Sequence, residues 1–227
     1  KRLHIVGGGA NQVPLVLTAK RMGFTVLVTD MYPDPPCRQH ADDFEQIDTT
    51  DLQASLACAS KHKIDFVTTD QTDVAVPTVA YIAEQLSLPG IGYNTALRFT
   101  NKYVMRRALE GKLDDNIAES HYFNNESKAC EFCETLSNPS GFIVKPINSQ
   151  GSKGVAILQP NNRQLIASAF RESLGRGIIV ERFVSGFEFS VESFVHSGKV
   201  HNLTLTKKYH FSNNPCLDER NTFLGDV

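Results

Sequence analysis

Residues 141–158 read GFIVKPINSQGSKGVAIL, and the loop at their centre, NSQGSKGV (148–155), decides what kind of fold this is. Glycine, serine and lysine together suggest a loop built to hold phosphate. A Walker-type loop needs G-x-x-x-x-G-K-[ST] running into a helix. Here the order is Gly-Ser-Lys-Gly, and both FIVK before it and VAIL after it read as short apolar strands, bounded by Pro146 and Pro160. The loop therefore joins strand to strand. Gly151 and Gly154 allow such a hairpin to fold closely over a triphosphate and donate backbone amides to its oxygens. Alternation along the first strand sends Phe142 and Val144 one way, Ile143 and Lys145 the other. A lysine ending an apolar strand beside an amide-rich loop suits an α- or β-phosphate. The competing reading is a surface lysine beside a hairpin tip.

Downstream, IIVERFVSGFEFSVESF (178–194) reads as a buried strand ending in Glu181, a short connector, and a strand beginning near Phe187. Backbone groups of such a connector can read an adenine edge while Phe183 and Val184 cover the base. Glu188, Ser190 and Glu192 alternate with Phe187, Phe189 and Val191, so one face is apolar and the other carries two carboxylates. A carboxylate there accepts ribose hydroxyl protons. The solvated face of an edge strand is an equal alternative.

The first ninety residues alternate strand and helix. LHIV (3–6) is a buried strand, GGGANQ (7–12) a glycine turn, and VPLVLTAKRM (13–22) a helix stopped by Gly23. TVLVTD (25–30) is a second strand, followed by a turn rich in Pro33, Pro35 and Pro36 and by FEQID (44–48). A helix then runs from Asp51 as N-cap through LQASLACASKHK (52–63). IDFVTTD (64–70) is another strand, VAVPTVAYIAEQL (74–86) a helix with Pro77 tolerated near its start, and LPGIG (88–92) a last short strand. Strands separated by helices imply parallel pairing and a doubly wound sheet.

The remainder reads as α+β. A helix, NKYVMRRALEG (101–111), leads to AESHYF (118–123), a helix over ESKACEFCETL (126–136), the hairpin, and a helix over RQLIASAFRESL (163–174). From Ile178 the pattern is nearly all strand, ending in KVHNLTLTKKYHF (199–211), and the polar SNNPCLDERN (212–221) reads as a loop. A domain boundary near residue 95 follows.

Other motifs lose to plainer readings. In IVGGGANQV, Gly7 and Gly9 open a dinucleotide G-x-G-x-x-G, and Asp30 lies at the end of the next strand. But Gln12 replaces the last glycine, which normally permits close helix–strand packing, and Pro14 follows. A tight turn whose amides face a substrate anion is favoured over a nicotinamide site. Cys130 and Cys133 have redox or zinc spacing but lie within a helix with no second pair. The seven histidines show no metal-type pairing, and no G-x-S-x-G elbow marks a hydrolase.

Bulk properties are those of a globular protein. The net charge of −2 gives no reason to expect nucleic acid or an anionic membrane. No run approaches the ~18 apolar residues of a membrane span, no signal peptide opens the chain, and five cysteines argue against a disulfide scaffold. A soluble, cytoplasmic protein is expected, its oligomeric state open, a homodimer being one option. The start at Lys1 and the end at NTFLGDV suggest a fragment of a longer protein.

Taken together, the residues resemble the ATP-grasp superfamily over essentially the whole chain. NKYVMRRAL looks like its Asp-Lys helix start, with Asn101 for the usual Asp. GFIVKPINSQGSKGV looks like its strand, lysine and phosphate loop, and IIVERFVSGFEFSVE like its adenine hinge and ribose glutamate. GGGANQ, VTDMYPDPP, HADDF and LPGIG are similar to the pre-ATP-grasp domain of the branch containing biotin carboxylase, carbamoyl-phosphate synthase and purine-biosynthetic ligases.

The resemblance implies a doubly wound pre-ATP-grasp domain (1–95) and a truncated ATP-grasp domain (96–227), with a lid subdomain over about 115–180 and the start of a second subdomain over 181–227. It implies that Lys102 and Lys145 contact phosphates, that Ser149 to Gly154 (with Gly151, Ser152 and Lys153) form the lid, and that Glu181 receives the adenine amino group. Arg182, Phe183 and Val184 would be the hinge, Glu188 would hold ribose, and Lys208 or Lys207 would face the γ-phosphate. Gly8, Gly9 and Asp30 would help hold the acceptor. The family's two Mg²⁺ are bound through a Glu-x-Asn pair that nothing after Lys208 supplies, so metal ligands are expected beyond residue 227.

The implied activity is an ATP-dependent ligase joining a small carboxylate, or bicarbonate, to an amine through an acyl phosphate. A non-catalytic nucleotide sensor on the same fold is the alternative, with a NAD-binding oxidoreductase or a kinase further behind. A kinase lacks its His-Arg-Asp and Asp-Phe-Gly patterns here.

Overall fold

The computed structural model describes residues 1–113, 117–149, 151–159 and 163–226. Two compact units, Lys1–Asp114 and Asp115–Val227, divide the chain.

The first unit holds four parallel strands, β1 (Arg2–Val6), β2 (Thr25–Asp30), β3 (Asp43–Gln46) and β4 (Phe66–Thr68), in the order β3-β2-β1-β4. Both faces are covered, which is why β1 and β2 read as mostly apolar runs, their polar members His4, Thr29 and Asp30 buried with them. Ile5, Val26 and Val28 pack on one face with Val16 and Ala19 of helix α1 (Val13–Arg21). Val6 and Leu27, one step along each strand, pack on the other face with Cys58 and Ala59 of α2 (Leu52–Lys61) and Ile82 of α3 (Val76–Gln85). Helices on both faces make the sheet doubly wound, as expected. Asp51 caps α2, its carboxylate accepting the amides of Gln53 and Ala54.

LPGIG is not a strand. The Leu88 amide bonds back to the Ala83 carbonyl at 2.8 Å, ending α3, and Leu88 packs into the core below. Pro89 has no N–H to give a ladder, so the segment serves as a tight link to a helix absent from the sequence reading, α4 (Tyr93–Thr100). Glu84 accepts the Tyr93 amide at 2.9 Å, and the Tyr81 and Tyr93 rings meet edge to face. α4 packs on α3, and α5 (Lys102–Leu109) on α4. Both helices therefore belong to the first compact unit.

The second unit contains two sheets. In the first, β5 (Ser120–Phe123), β8 (Ile178–Arg182), β6 (Phe142–Pro146) and β7 (Ala156–Ile157) lie side by side in that order, all antiparallel. Its inner face, including Val144, Ile178 and Val180, is covered by α6 (Glu126–Glu134) and α7 (Arg163–Glu172). Cys130 and Cys133 are part of that core, their thiols pushed up by burial, Cys133 to about 11. The second sheet is the meander β9 (Glu188–His196), β10 (Lys199–Phe211) and β11 (Asn214–Asp226). SNNPCLDERN is thus mostly strand, a correction with a physical cause. Its side chains are polar on an open sheet, and β10 supplies an antiparallel partner for it from Lys208 to Phe211, interrupted by bulges.

Candidate nucleotide site

β6 and β8 pair so that Ile143 lies opposite Glu181 and Lys145 opposite Ile179. Lys145 and Glu181 therefore share the face away from the helices, where Lys145 Nζ donates to Glu181 Oε2 at 2.8 Å. The Glu181 side chain is 2% exposed and that of Lys145 26%. Ile143 and Ile179 around the pair are also buried. Breaking the pair is costly unless each charge finds another partner.

The loop between β6 and β7 is tightly wound. Ser149 Oγ donates to the Lys153 carbonyl at 2.7 Å, and Val155 N–H to that of Ser152 at 3.1 Å. Gln150, within the expected lid, and Pro160, beyond its second strand, lie outside the described residues. Gly154 anchors the loop: its φ is +69°, and a Cβ there would sit 2.9 Å from both Glu172 Cβ and Pro146 Cγ. Only glycine fits that junction without displacing α7 or β6.

After β8 the Phe183 amide bonds to the Gly141 carbonyl at 2.7 Å, and the connector then becomes exposed, Val184 at 72%. Arg182 is exposed and its amide bonds to the Glu119 carbonyl. Glu188 opens β9 opposite Lys208, and its Oε1 accepts Lys208 Nζ at 2.9 Å. Lys207 points through the other face, its ammonium 4.0 Å from the Phe187 ring centre and 5.2 Å from that of Tyr209. Register thus separates the two lysines that the sequence left as equals. Burial pulls the Lys208 pKa down, but hydrogen bonds to Glu188 and Asp218 outweigh it and raise it.

Two residues around Glu188 were not singled out from sequence. His210 Nε2 lies 3.1 Å from Glu188 Oε2, and Asp218 Oδ2 lies 3.0 Å from Lys208 Nζ. The signal was alternation within 212–221, hidden by Asn214, Pro215 and the acidic run. Two residues before Asp218, the Cys216 thiol is raised chiefly by burial, with the Ile157 amide and the Lys145 charge pulling it back.

Glu188, His210 and Asp218 offer ligand atoms within 4.8 Å of one another. Mg²⁺ takes oxygen ligands and keeps several waters. Here one donor is an imidazole, and the Lys208 ammonium already stands between the carboxylates. The set does not fit Mg²⁺. Glu45, Cys58 and His62 form the other such group among the described residues. Arg2 Nη1, a donor, faces His62 Nδ1 at 3.1 Å, so Nε2 carries the proton and donates to Glu45 at 3.0 Å. Burial also pushes the Cys58 thiol to about 11, so this group is an ion-pair cluster over a core cysteine.

In the first unit, Asp30 is buried and both its oxygens hold backbone: Oδ2 accepts Gly8 N–H at 2.7 Å and Oδ1 accepts Tyr32 N–H at 2.9 Å. A Cβ on Gly8 would meet Val28 at 3.0 Å and Pro35 at 3.1 Å, and Gln12 donates to the Asp70 carbonyl at 2.7 Å. The turn is closed by its own chain, with an aspartate where a dinucleotide would bring a phosphate. Lys102 opens α5 after Asn101, whose side chain accepts the Val104 amide at 3.1 Å. It lies in the first unit, and Lys145, Glu181, Glu188 and Lys208 in the second. No helix among the described residues is long and apolar enough to cross a membrane.

A parallel-sheet unit followed by an α+β unit with lysine–glutamate pairs on facing-strand ends defines an ATP-grasp protein. More narrowly, the chain belongs to the family described as phosphoribosylglycinamide synthetase, ATP-grasp (A) domain, whose model matches residues 100–214. Residues 1–91 match the ribonucleotide synthetase pre-ATP-grasp domain. Curated relatives include a formate-dependent phosphoribosylglycinamide formyltransferase from Synechococcus sp. (strain CC9902), 28% identical over 85% of this chain and 49% of the relative. The same enzyme from Methanocaldococcus jannaschii is 26% identical over 82% of this chain and 48% of its own length. Among solved structures, N5-carboxyaminoimidazole synthetase from Staphylococcus aureus complexed with ADP matches with a TM-score of 0.72 at 20% identity, over 97% of this chain and 57% of that one. An L-amino acid ligase from Bacillus licheniformis matches at 0.67 and 24%, over 92% and 50%. These two likenesses concern the fold. The chain spans about half the length of the curated relatives it matches.

Proposed function

We propose that this chain supplies the nucleotide-binding part of an ATP-dependent ligase that joins a small carboxylate, or bicarbonate, to an amine through an acyl phosphate. The observation that carries this reading is the buried Lys145–Glu181 pair beside the Gly154-anchored loop, in a chain of this family. In this reading Lys145 exchanges its carboxylate partner for phosphate oxygens, as a fixed charge on a strand. Ser149, Gly151, Ser152, Lys153 and Gly154 cover the phosphates, and Lys102 is a further candidate phosphate contact. Glu181, with Arg182, Phe183 and Val184, receives the adenine, Glu188 the ribose, and Lys208 the phosphate end. Gly8, Gly9 and the loop after Asp30 shape the acceptor side. Residues 1–95 would be the pre-ATP-grasp domain and 96–227 the ATP-grasp domain. Family chemistry uses Mg²⁺ to neutralise the triphosphate, and its ligands would come from outside residues 1–227.

Calorimetry on the protein at its full natural length tests this reading. Lys145→Ala is expected to weaken ATP binding at least about tenfold, the scale of one charge-assisted hydrogen bond, and Lys153→Ala much less. Equal affinity for wild type and Lys145→Ala would sink the phosphate assignment. Phosphate release from ATP that depends on both a carboxylate and an amine would separate a ligase from a nucleotide sensor.

A further inference from the structure

Asp218 comes from the stretch that reads as a loop, yet it brings a second carboxylate to Lys208, opposite Glu188. Its Oδ2 lies 3.0 Å from Lys208 Nζ and its Oδ1 3.3 Å from His210 Nδ1. The same two side chains meet Glu188 on their other sides, Lys208 at 2.9 Å and His210 Nε2 at 3.1 Å. Glu188 needs such support. It opens β9 directly after an exposed connector, and its side chain is 53% exposed. A lysine on a flexible four-carbon stem, paired with one half-exposed carboxylate, is weakly held. A second carboxylate on its far side, set there by the bulged pairing of β11 with β10, fixes the ammonium.

We propose that Asp218 is a positioning residue for the nucleotide: it holds Lys208 in place, and Lys208 aims the Glu188 carboxylate at the ribose hydroxyls, with His210 packed beside them. This rests on the nucleotide reading above. Asp218 itself makes no contact with ATP in this arrangement. Glu188 and Lys208 are legible in the sequence, whereas Asp218 joins them only through the β10–β11 pairing.

The test compares calorimetric affinities for ATP, 2′-deoxyATP and 3′-deoxyATP, a ratio that general loosening of the fold does not change. Wild type is expected to prefer ATP over at least one deoxy analogue by about tenfold or more, the worth of a hydrogen bond to a charged group. Asp218→Asn should shrink that preference to about threefold or less, with Asp218→Glu restoring it, because the change acts on one charge-assisted contact. In a Glu188→Gln background, adding Asp218→Asn should change nothing further, since both act on one contact. Asp218 is 38% exposed, so the fold should survive, and Asp218→Ser gives the same comparison from a second side chain. An undiminished preference in both Asp218→Asn and Asp218→Ser overturns the proposal, as does a further loss in the double variant. Wild type binding ATP without ribose preference overturns the role of Glu188 and this proposal together. Wild type binding no ATP overturns the nucleotide reading itself.

Discussion

Replacing His4 should remove much of the acid sensitivity of the first unit. His4 lies on β1 with no exposed surface, its Nε2 2.9 Å from Thr29 Oγ1 and its Nδ1 without a partner among the described residues. Burial, with a smaller push from His62, lowers its pKa from 6.5 to about 4. The sign follows directly. Between those values the unfolded chain holds a proton that the folded chain refuses, so stability rises with pH there, is complete above 6.5, and is lost as pH falls towards 4. The full gap is worth about 3 kcal/mol, and about 2 kcal/mol of it is gone by pH 5. The chain has no tryptophan, so urea unfolding followed by far-ultraviolet circular dichroism is the practical assay. His4→Asn keeps a polar partner for Thr29 and cannot titrate. Carboxylates contribute equally to both proteins, so the difference between their stability curves isolates His4. Wild type should lose about 2 kcal/mol more than the variant between pH 7 and pH 5. Parallel curves, or a His4 ring signal titrating near its ordinary value, would refute the reasoning.

Asp30→Ala strands the amides of Gly8 and Tyr32 and should cost about 2–4 kcal/mol in thermal denaturation, with Asp30→Asn costing less because one acceptor remains. An unchanged melting temperature would mean that water replaces the carboxylate without loss. Gly154→Ala must distort a junction with φ +69° and 2.9 Å contacts, so it should destabilise by about 1–3 kcal/mol and weaken ATP binding, measured by melting and calorimetry. Lys208→Ala should lower ATP affinity at least about fivefold, whereas Lys207→Ala should remove only its two cation–π contacts, worth about 1 kcal/mol each or less, and leave binding intact. The reverse ranking would place Lys207 on the nucleotide face.

The parts of this fold that could be read from sequence are those where one periodicity runs uninterrupted. TVLVTD is β2 residue for residue, because a strand buried on both faces has no polar interruption to misplace. Asp51 and Asn101 announced their helices because a cap is local chemistry. The hairpin was readable because Phe142/Val144 and Ile143/Lys145 separate cleanly by parity. α4 was missed because YNTALRFT is short and buries only Ala96. LPGIG looked like a strand because a helix-ending turn whose leucine enters the core has the same apolar pattern. β11 was missed because polar residues on an open face look the same in a strand as in a loop. Only the partner strand tells them apart, and pairing is non-local.

That non-local pairing also decides how much of the site could be foreseen. Lys145, Glu181 and Glu188 each sit at the end of an apolar pattern, so each is visible alone. Their mutual arrangement depends on register. Lys208 faces Glu188 because β10 pairs with β9 at that position, and a one-residue slip would present Lys207 and send Lys208 towards the aromatic face. β11 carries a similar constraint. Asp218 reaches Lys208 because β11 pairs with β10 at His210. Irregular pairing between Tyr209 and His210 and between His210 and Phe211 sets where Asp218 falls against β10. Bulges of this kind re-aim side chains near functional sites. Restoring regular pairing there would be expected to turn Asp218 away from Lys208 while leaving every residue named here in place. The chemistry of this site is therefore held by strand register as much as by residue identity.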